Sequence, residues 1–224
     1  MSRFAKAILL TSLLFTSIIL FFSRRTLIEK YNELFKTEVY QKEDAAKITE
    51  VKKKKKSGSN SIGTIMDEFE GVPVYINGKV LDVHGRHITK DGYNLGLKYQ
   101  CVEFVKRYYF EKYGHRMPDS YGDAKDYYNH EIQDGKLNAK RGLIQCQNKG
   151  RYKPKNRDIL VFGPNVYNKF GHVAIVTAVS DSTVSCISQN LGSGNGSRRS
   201  YILQNENGAY YIDDADILGW LRKE

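Results

Sequence analysis

The sequence predicts an α+β fold in which a helix packs on an antiparallel sheet. Apolar residues recur at three- and four-residue steps after Cys101, which is the spacing of one helix face. Three β-branched runs bounded by turn residues follow at 158–162, 172–179 and 183–190. Only a short polar turn separates the last two runs, so we expect them to form an antiparallel hairpin.

The chain begins with a leader over residues 1–25, whose apolar run from Ala7 to Phe22 is flanked by basic residues. A run of this kind enters a membrane or the export machinery, and no small-residue cleavage site follows it. We therefore expect a signal anchor that contacts the membrane through residues 7–22, with a cleaved signal peptide as the alternative. Basic residues on both sides do not orient the segment, so the side on which the domain is anchored stays open.

Residues 26–61 alternate in charge and end in a lysine run, Lys52–Lys56, which is typical of a solvated linker. Contact of these lysines with anionic lipid or cell-wall polymer is the alternative. Of the net charge of +10, most lies in residues 1–61, where 13 Lys/Arg face 6 Asp/Glu, against 22 and 19 in residues 62–224. Residues 62–224 are therefore expected to form one mildly basic globular domain, and nothing in them indicates a nucleic-acid partner.

The predicted helix begins at Cys101 and ends at Gly114. Its charged residues are expected to face solvent; they are Lys106, Arg107, Glu111 and Lys112. A thiol in the first turn lies at the positive end of the helix dipole, beside free backbone N–H groups, and both favour the thiolate. Cys101 is therefore the candidate nucleophile, and Gln100 and the backbone N–H of Cys101 are candidates to hold an oxyanion.

His172 is the candidate base, because it begins a predicted strand after Gly171 and an imidazole can take the proton of a thiol. Strand alternation is expected to place Ser188 and Asn190 on one side of the neighbouring strand. Asn190 would orient the imidazole through its amide oxygen, and Ser188 is the uncharged alternative at this third position. Each of these residues also has a non-catalytic alternative. Cys101 could be a core residue, His172 a structural residue and Asn190 the first residue of a turn.

The three cysteines show neither a CxxC pair nor zinc-ligand spacing, so we expect no metal site and no cofactor. A disulfide between Cys146 and Cys186 stays open for an exported domain, although a buried apolar role is favoured for Cys186. The remaining histidines are expected to be surface or structural residues; they are His84, His87, His115 and His130.

Three strings resemble one family: LGLKYQCVEFVKRYYFEKYG (95–114), FGHVAIVTAV (170–179) and SCISQN (185–190). They are similar to the cysteine- and histidine-dependent amidohydrolase/peptidase (CHAP) family, whose papain-like fold packs N-terminal helices on an antiparallel β-sheet. The strings GVPVYINGK (71–79) and DILGWLRK (216–223) further resemble the amidase domain of bifunctional glutathionylspermidine synthetase/amidase enzymes. The resemblance covers residues 62–224 and implies Cys101 as nucleophile and His172 as base.

The sequence departs from the family at the third position, which is commonly the Glu of an E-x-N arrangement and is Ser188 here. Either Asn190 orients His172 or activity is reduced. The resemblance together with the leader predicts an amide hydrolase that cleaves peptidoglycan through a thioester acyl-enzyme, anchored in or exported to a bacterial envelope. A glutathionylspermidine-type amidase and a catalytically weak wall-binding module are the alternatives. The oligomeric state stays open.

Overall fold

The structure is a computed structural model that describes residues 61–192 and 195–224. The described residues belong to one compact unit. The predicted membrane segment at 7–22 and nearly all of the predicted linker at 26–61 lie outside the described residues. Within the described ranges, no helix is both long enough and apolar enough to cross a membrane.

The described part of the chain forms twelve strands, one α-helix and one short 3₁₀ helix. The strands are β1 (Ile65–Phe69), β2 (Val72–Tyr75), β3 (Arg86–Ile88), β4 (Asn94–Leu97), β5 (Lys136–Asn138), β6 (Leu143–Gln147), β7 (Ile159–Phe162), β8 (His172–Val179), β9 (Thr183–Ile187), β10 (Arg198–Glu206), β11 (Ala209–Ile212) and β12 (Ile217–Arg222). The helix α1 spans Cys101–Tyr113, and the 3₁₀ helix spans Ala124–Tyr127.

Eight strands form one antiparallel sheet in the order β11-β10-β9-β8-β7-β12-β6-β5. One face of the sheet packs against α1, with Val105, Tyr109, Val173 and Ile187 in a common core. The opposite face carries a second core around Trp220. This arrangement confirms the predicted α+β class and the antiparallel hairpin of the last two β-branched runs.

The expectation of several N-terminal helices is wrong for the described residues, where one α-helix packs on the sheet. The region before it forms two hairpins, β1-β2 and β3-β4. At the first hairpin, Glu70 and Gly71 have φ of 50° and 83°. Positive φ at both central residues is the geometry of the tightest two-residue hairpin turn, so this stretch reverses direction where a helix would continue.

The helix ends as predicted at Gly114, which has φ of 59° and donates its N–H to Phe110. Two of the four charged residues expected in solvent are instead buried, Lys106 at 1% exposure and Arg107 at 3%. Neighbouring strands and loops cover this side of α1, and the cations are satisfied there by oxygen atoms. Lys106 Nζ donates to the carbonyl of Ser120 at 2.8 Å, and Arg107 donates to that of Pro73 at 2.8 Å. 

No disulfide forms among the three cysteines, all of which are free. Cys146 lies in β6 and Cys186 in β9, with three strands between them in the sheet. At the usual strand spacing, the two strands are about 19 Å apart, whereas a disulfide needs Cα atoms within about 7 Å. Cys186 is a buried core residue, as the sequence favoured.

Candidate active site

Cys101 is the first residue of α1, and the start of β8 lies beside it. The backbone N–H groups of Val173, Val102 and Cys101 itself face the thiol sulfur. Val173 directly follows His172 and belongs to the core between α1 and the sheet, against which Cys101 packs. The tertiary structure therefore brings the Cys101 thiol to the backbone beside His172, although 71 positions separate the two residues in the chain.

Gly171 makes this approach possible. Its φ is 72°, and a Cβ at this position would lie 2.5 Å from the carbonyl oxygen of Phe162 and 3.0 Å from the backbone nitrogen of Lys125. The N–H of Lys125 in turn donates to the carbonyl of Phe170 at 2.9 Å. The 3₁₀ helix is thus held against the residue that sets the direction of His172, and only glycine fits there.

The imidazole of His172 packs against Phe162, a residue of the second core. Its ring is edge-on to Phe162, with 5.8 Å between the ring centroids. Nε2 is buried and has no hydrogen-bond partner. Burial and, to a lesser extent, the positive charge of Arg199 together lower the pKa of His172 to about 4.

The thiol of Cys101 is neutral in the resting site. Burial raises its pKa to about 11, the three backbone N–H groups work in the opposite direction, and the negative charge of Asp123 adds to the rise. The expected ionised thiolate is therefore not found, because desolvation outweighs the helix terminus. No hydrogen bond joins the thiol to the imidazole among the described residues, and such bonds commonly tighten only when substrate is bound.

Asn190 forms no hydrogen bond with His172 among the described residues. Strand β9 ends at Ile187, and Asn190 has φ of 64°, so the expected strand alternation does not extend to residue 190. Its amide nitrogen donates to the carbonyl of Val80 at 2.8 Å and to Oε1 of Gln100 at 2.6 Å. Oδ1 of Asn190 is buried without a partner, as is Nε2 of His172. Both atoms of the predicted orienting bond are thus unoccupied, and the role of Asn190 stays a prediction.

Ser188 and Gln100 also lie at this end of the sheet. Ser188 is 2% exposed, and its N–H donates to the carbonyl of Ser197 at 2.8 Å. The Gln100 amide nitrogen donates to the carbonyls of Val80 and Asp82, at 3.2 and 2.9 Å. The Gln100 side chain therefore ties the loop after β2 to Asn190, and its predicted oxyanion role would require one of these bonds to open.

Gln189 is a site-building residue that the sequence analysis missed. Its amide nitrogen donates to the carbonyl of Gln100 at 3.0 Å and to Glu103 Oε2 at 2.9 Å, and its Oε1 accepts the N–H of Tyr75 at 2.7 Å. Burial works to raise the pKa of Glu103, but hydrogen bonds from His87, Arg107 and Gln189 hold it below its usual value. The string QCVEF contained the signal, since a Glu within an apolar helix turn needs buried partners.

Tyr127 is a second residue that was missed. It is fully buried at the end of the 3₁₀ helix, the guanidinium of Arg141 lies 4.2 Å above its ring, and its hydroxyl has no hydrogen-bond partner. Burial raises the pKa of Tyr127, and a charge on Cys101 would raise it further. The unpartnered hydroxyl therefore lies within electrostatic reach of the thiol. A single sequence gives no signal for this, because a buried Tyr is usually part of a core.

The described residues contain no grouping of His, Cys, Asp and Glu that could hold a metal ion. Three of the histidines outside the site instead bond to oxygen atoms of the protein. His84 bonds to the carbonyl of Asn77, His87 to Glu103 and His115 to the carbonyl of Arg141, at 2.8, 2.8 and 2.9 Å. For these three, the expected structural role agrees with the contacts.

Comparison with known proteins supports the resemblance found in the sequence. Residues 90–190 match the family model described as the CHAP domain. A Crithidia fasciculata protein named trypanothione synthetase is 28% identical over 136 residues, covering 60% of this chain and 21% of the relative. Glutathionylspermidine synthase of the same organism is 33% identical over 140 residues, covering 57% of this chain and 19% of the relative. The chain thus spans about a fifth of the length of these relatives.

Among solved structures, one titled "The crystal structure of Ly7917" matches with a TM-score of 0.32 and 15% identity. The match covers 56% of this chain and 53% of that chain. A score this low supports no argument about shared fold or function.

Proposed function

Residues 90–190 match the CHAP domain, and from this premise we propose that the protein hydrolyses amide bonds with Cys101 as nucleophile and His172 as base. One observation carries the proposal: the backbone N–H next to His172 faces the Cys101 thiol at the first turn of α1. The match and the relatives support a hydrolase of the amidase or peptidase class, while the nucleophile and the base rest on this geometry.

In the proposed reaction, His172 takes the proton of the Cys101 thiol as the sulfur attacks the carbonyl carbon of the substrate. The negative charge moves to the carbonyl oxygen, and the backbone N–H groups that face the sulfur lie where they can stabilise it. The C–N bond then breaks, the leaving amine takes the proton from the imidazolium, and a thioester remains on Cys101. Water deprotonated by His172 hydrolyses the thioester and returns the thiol.

For the substrate, the two named relatives favour an amide of the glutathionylspermidine type, because glutathionylspermidine synthase is 33% identical over 140 residues, which cover 57% of this chain. Peptidoglycan is the second candidate, and the apolar run at 7–22 with its basic flanks favours it, because an exported domain meets cell-wall peptide. Ser188 in place of the family's Glu favours a third candidate, a wall-binding module with little activity.

The test is incubation of the full chain with purified peptidoglycan and, separately, with glutathionylspermidine, followed by mass analysis of the products. The active-site variant Cys101→Ala is the matched control and should release nothing. Cleavage by that variant at the rate of the natural protein would exclude Cys101 as nucleophile. Binding to peptidoglycan without any product from either substrate would support the wall-binding candidate.

The nucleophile is tested separately with iodoacetamide. Cys101 is partly exposed, whereas Cys146 and Cys186 are buried and have pKa values raised by burial to about 12. We expect Cys101 to be alkylated first, at a rate that rises with pH over the whole range below about 10, because its own pKa is about 11. Equal labelling of all three cysteines in the folded protein would contradict the assignment.

A further inference from the structure

We propose that Gln189 is a positioning residue for the oxyanion site of the amide hydrolysis. It fixes the peptide between Gln100 and Cys101, so that the N–H of Cys101 points to the place where the negative charge forms. The inference rests on the proposed function and deepens it, because it assigns the orientation of an oxyanion donor to one buried side chain.

The peptide between Gln100 and Cys101 has a reacting end and an anchored end. Its N–H is one of the backbone N–H groups that face the Cys101 thiol. A trans peptide is planar, and its C=O and N–H point in opposite directions. A group that holds the Gln100 carbonyl therefore also sets the direction of the Cys101 N–H.

Gln189 holds that carbonyl. Its Nε2 donates to the carbonyl oxygen of Gln100 at 3.0 Å and to Glu103 Oε2 at 2.9 Å. Its Oε1 accepts the N–H of Tyr75, in β2, at 2.7 Å. The side chain is fully buried, and the three bonds occupy both N–H donors and the oxygen of the amide. These partners fix the amide in one orientation and connect the start of α1 to β2.

The first turn of α1 depends on this connection because it is not capped by its own N-cap residue. The Gln100 side chain makes no capping bond and donates instead to the carbonyls of Val80 and Asp82. The helical bond to the Gln100 carbonyl, from the N–H of Phe104, is 3.2 Å long, at the upper end of the usual range. The bond from Gln189 to the same carbonyl is shorter, so it is the firmer of the two constraints on this peptide.

Glu103 holds the Gln189 amide in turn. Burial works to raise the pKa of Glu103, but hydrogen bonds from His87, Arg107 and Gln189 keep it below its usual value. The carboxyl group is therefore ionised, and a bond donated to a carboxylate is stronger than one between neutral groups. The donor that reaches the Gln100 carbonyl thus belongs to an amide that a buried charge keeps in place.

The experiment compares two reactions of Cys101 in the full-length protein. Acylation by p-nitrophenyl acetate passes through an oxyanion, whereas alkylation by iodoacetamide does not. Both reactions need the thiolate, so a change in the pKa of the thiol alters their rates alike. Release of p-nitrophenolate is followed by absorbance, and the Cys101→Ala protein supplies the background rate.

We expect Gln189→Met to lower the Cys101-dependent acylation rate by about tenfold to a hundredfold, since a displaced oxyanion donor loses much of its effect. The alkylation rate should stay within about twofold, because the thiol itself is unchanged. Gln145→Met is the matched control. Gln145 is also fully buried, and its amide makes three hydrogen bonds, two to the backbone of Asn129 and one to Asn138. Its replacement should lower stability and leave both rates unchanged.

Iodoacetamide also reports on the fold, because Cys146 and Cys186 are buried and stay unlabelled while the cores are closed. If Gln189→Met exposes them, Gln189→Asn decides, since it keeps a buried amide that is too short to bond to Gln100 and Tyr75 at once. The same selective loss of acylation is expected.

An unchanged acylation rate in a folded Gln189 variant, or an equal fall of both rates, would overturn the positioning role and leave the amidase proposal standing. Acylation of the natural protein no faster than that of Cys101→Ala would instead refute the amidase proposal, and the positioning role with it.

Discussion

At the scale of single residues, burial acts on Cys101 and His172 in opposite directions. The pKa of the thiol rises to about 11 and that of the imidazole falls to about 4, so both are neutral between these values. The thiolate and imidazolium must therefore form during the reaction, when bound substrate excludes water and supplies new partners. Residues that face the imidazole decide how readily this proton transfer occurs.

Asn190 and Ser188 can be separated by mutation. If Asn190 orients His172, Asn190→Ala should lower kcat by about tenfold to ten-thousand-fold with little change in KM, whereas Ser188→Ala should have a small effect. The kinetics are measured on the substrate that the product analysis identifies. If Asn190 serves only to hold the loop through its hydrogen bonds to Val80 and Gln100, Asn190→Ala would instead lower stability or raise KM and would leave kcat unchanged.

Removing the Tyr127 hydroxyl should raise the stability of the protein and, if the hydroxyl acts on the thiol, lower its activity. Its buried hydroxyl lacks a partner, so Tyr127→Phe is expected to raise the free energy of unfolding by about 1 kcal/mol or more. If the hydroxyl acts on the thiol, the same change should lower kcat. Tyr109→Phe is the matched control, because the Tyr109 hydroxyl donates to the carbonyl of Arg157 at 2.8 Å and its loss should destabilise. Denaturant unfolding and kcat are the two measurements, and a Tyr127→Phe protein that is less stable would contradict the assignment.

At the scale of secondary-structure elements, the site lies where four of them end or begin. Helix α1 starts at Cys101, β8 starts at His172, β9 ends at Ile187, and the 3₁₀ helix packs beside Gly171. Gln189 connects two of these elements, since it bonds to Gln100 before α1 and to Glu103 within it. Small errors in how the elements approach each other would therefore separate the nucleophile from the base.

Gly171→Ala tests this approach directly. A Cβ at residue 171 would meet backbone atoms of Phe162 and Lys125, and alanine would have to adopt a left-handed conformation there. We therefore expect a loss of about 3 kcal/mol or more in unfolding free energy, together with loss of activity. Gly85→Ala is the control, because Gly85 has φ of 81° but nothing within 4 Å of the added Cβ. It should cost about 1–2 kcal/mol and leave kcat unchanged. Equal effects of the two changes, measured by denaturant unfolding, would show that close packing at Gly171 is unimportant.

Across the whole described domain, the antiparallel sheet separates two cores. The α1 side holds Cys101 and Val173, and the opposite side holds Phe162 and Cys186. His172 is desolvated by burial, which favours its neutral form in the folded protein. A buried neutral histidine also affects stability as the pH falls, because the unfolded chain binds the proton more readily.

The pH dependence of the unfolding free energy should show the effect of the buried, neutral His172. The pKa of His172 is lowered from 6.5 in the unfolded chain to about 4, so its contribution to stability is complete above pH 6.5 and is lost as the pH falls toward 4. The loss from this one group is up to about 3 kcal/mol. Denaturant unfolding of the natural protein and of His172→Gln is measured at pH 7 and at pH 4.5. The difference in stability between the two proteins isolates the contribution of His172, because the other groups titrate alike in both proteins. A difference between the two proteins that does not change with pH would contradict the lowered pKa.

The periodic patterns of the sequence determined the main elements of this protein. The helix from Cys101 to its stop at Gly114 and the strand at 172–179 were predicted from local spacing, because a half-buried helix or strand must repeat its apolar residues with its own period. Residue type made Cys101 and His172 candidates for the reacting pair, and it was the family resemblance that favoured them over core packing and a structural histidine.

Only the tertiary structure decided the surroundings of these residues. It buried Lys106 and Arg107, turned Asn190 toward Gln100, and joined Gln189 to Glu103. Burial and charge at a site depend on which distant segments cover it, and local periodicity carries no information about those segments. The neutral state of Cys101 follows for the same reason, since a pattern locates a helix terminus but does not give the desolvation that opposes it.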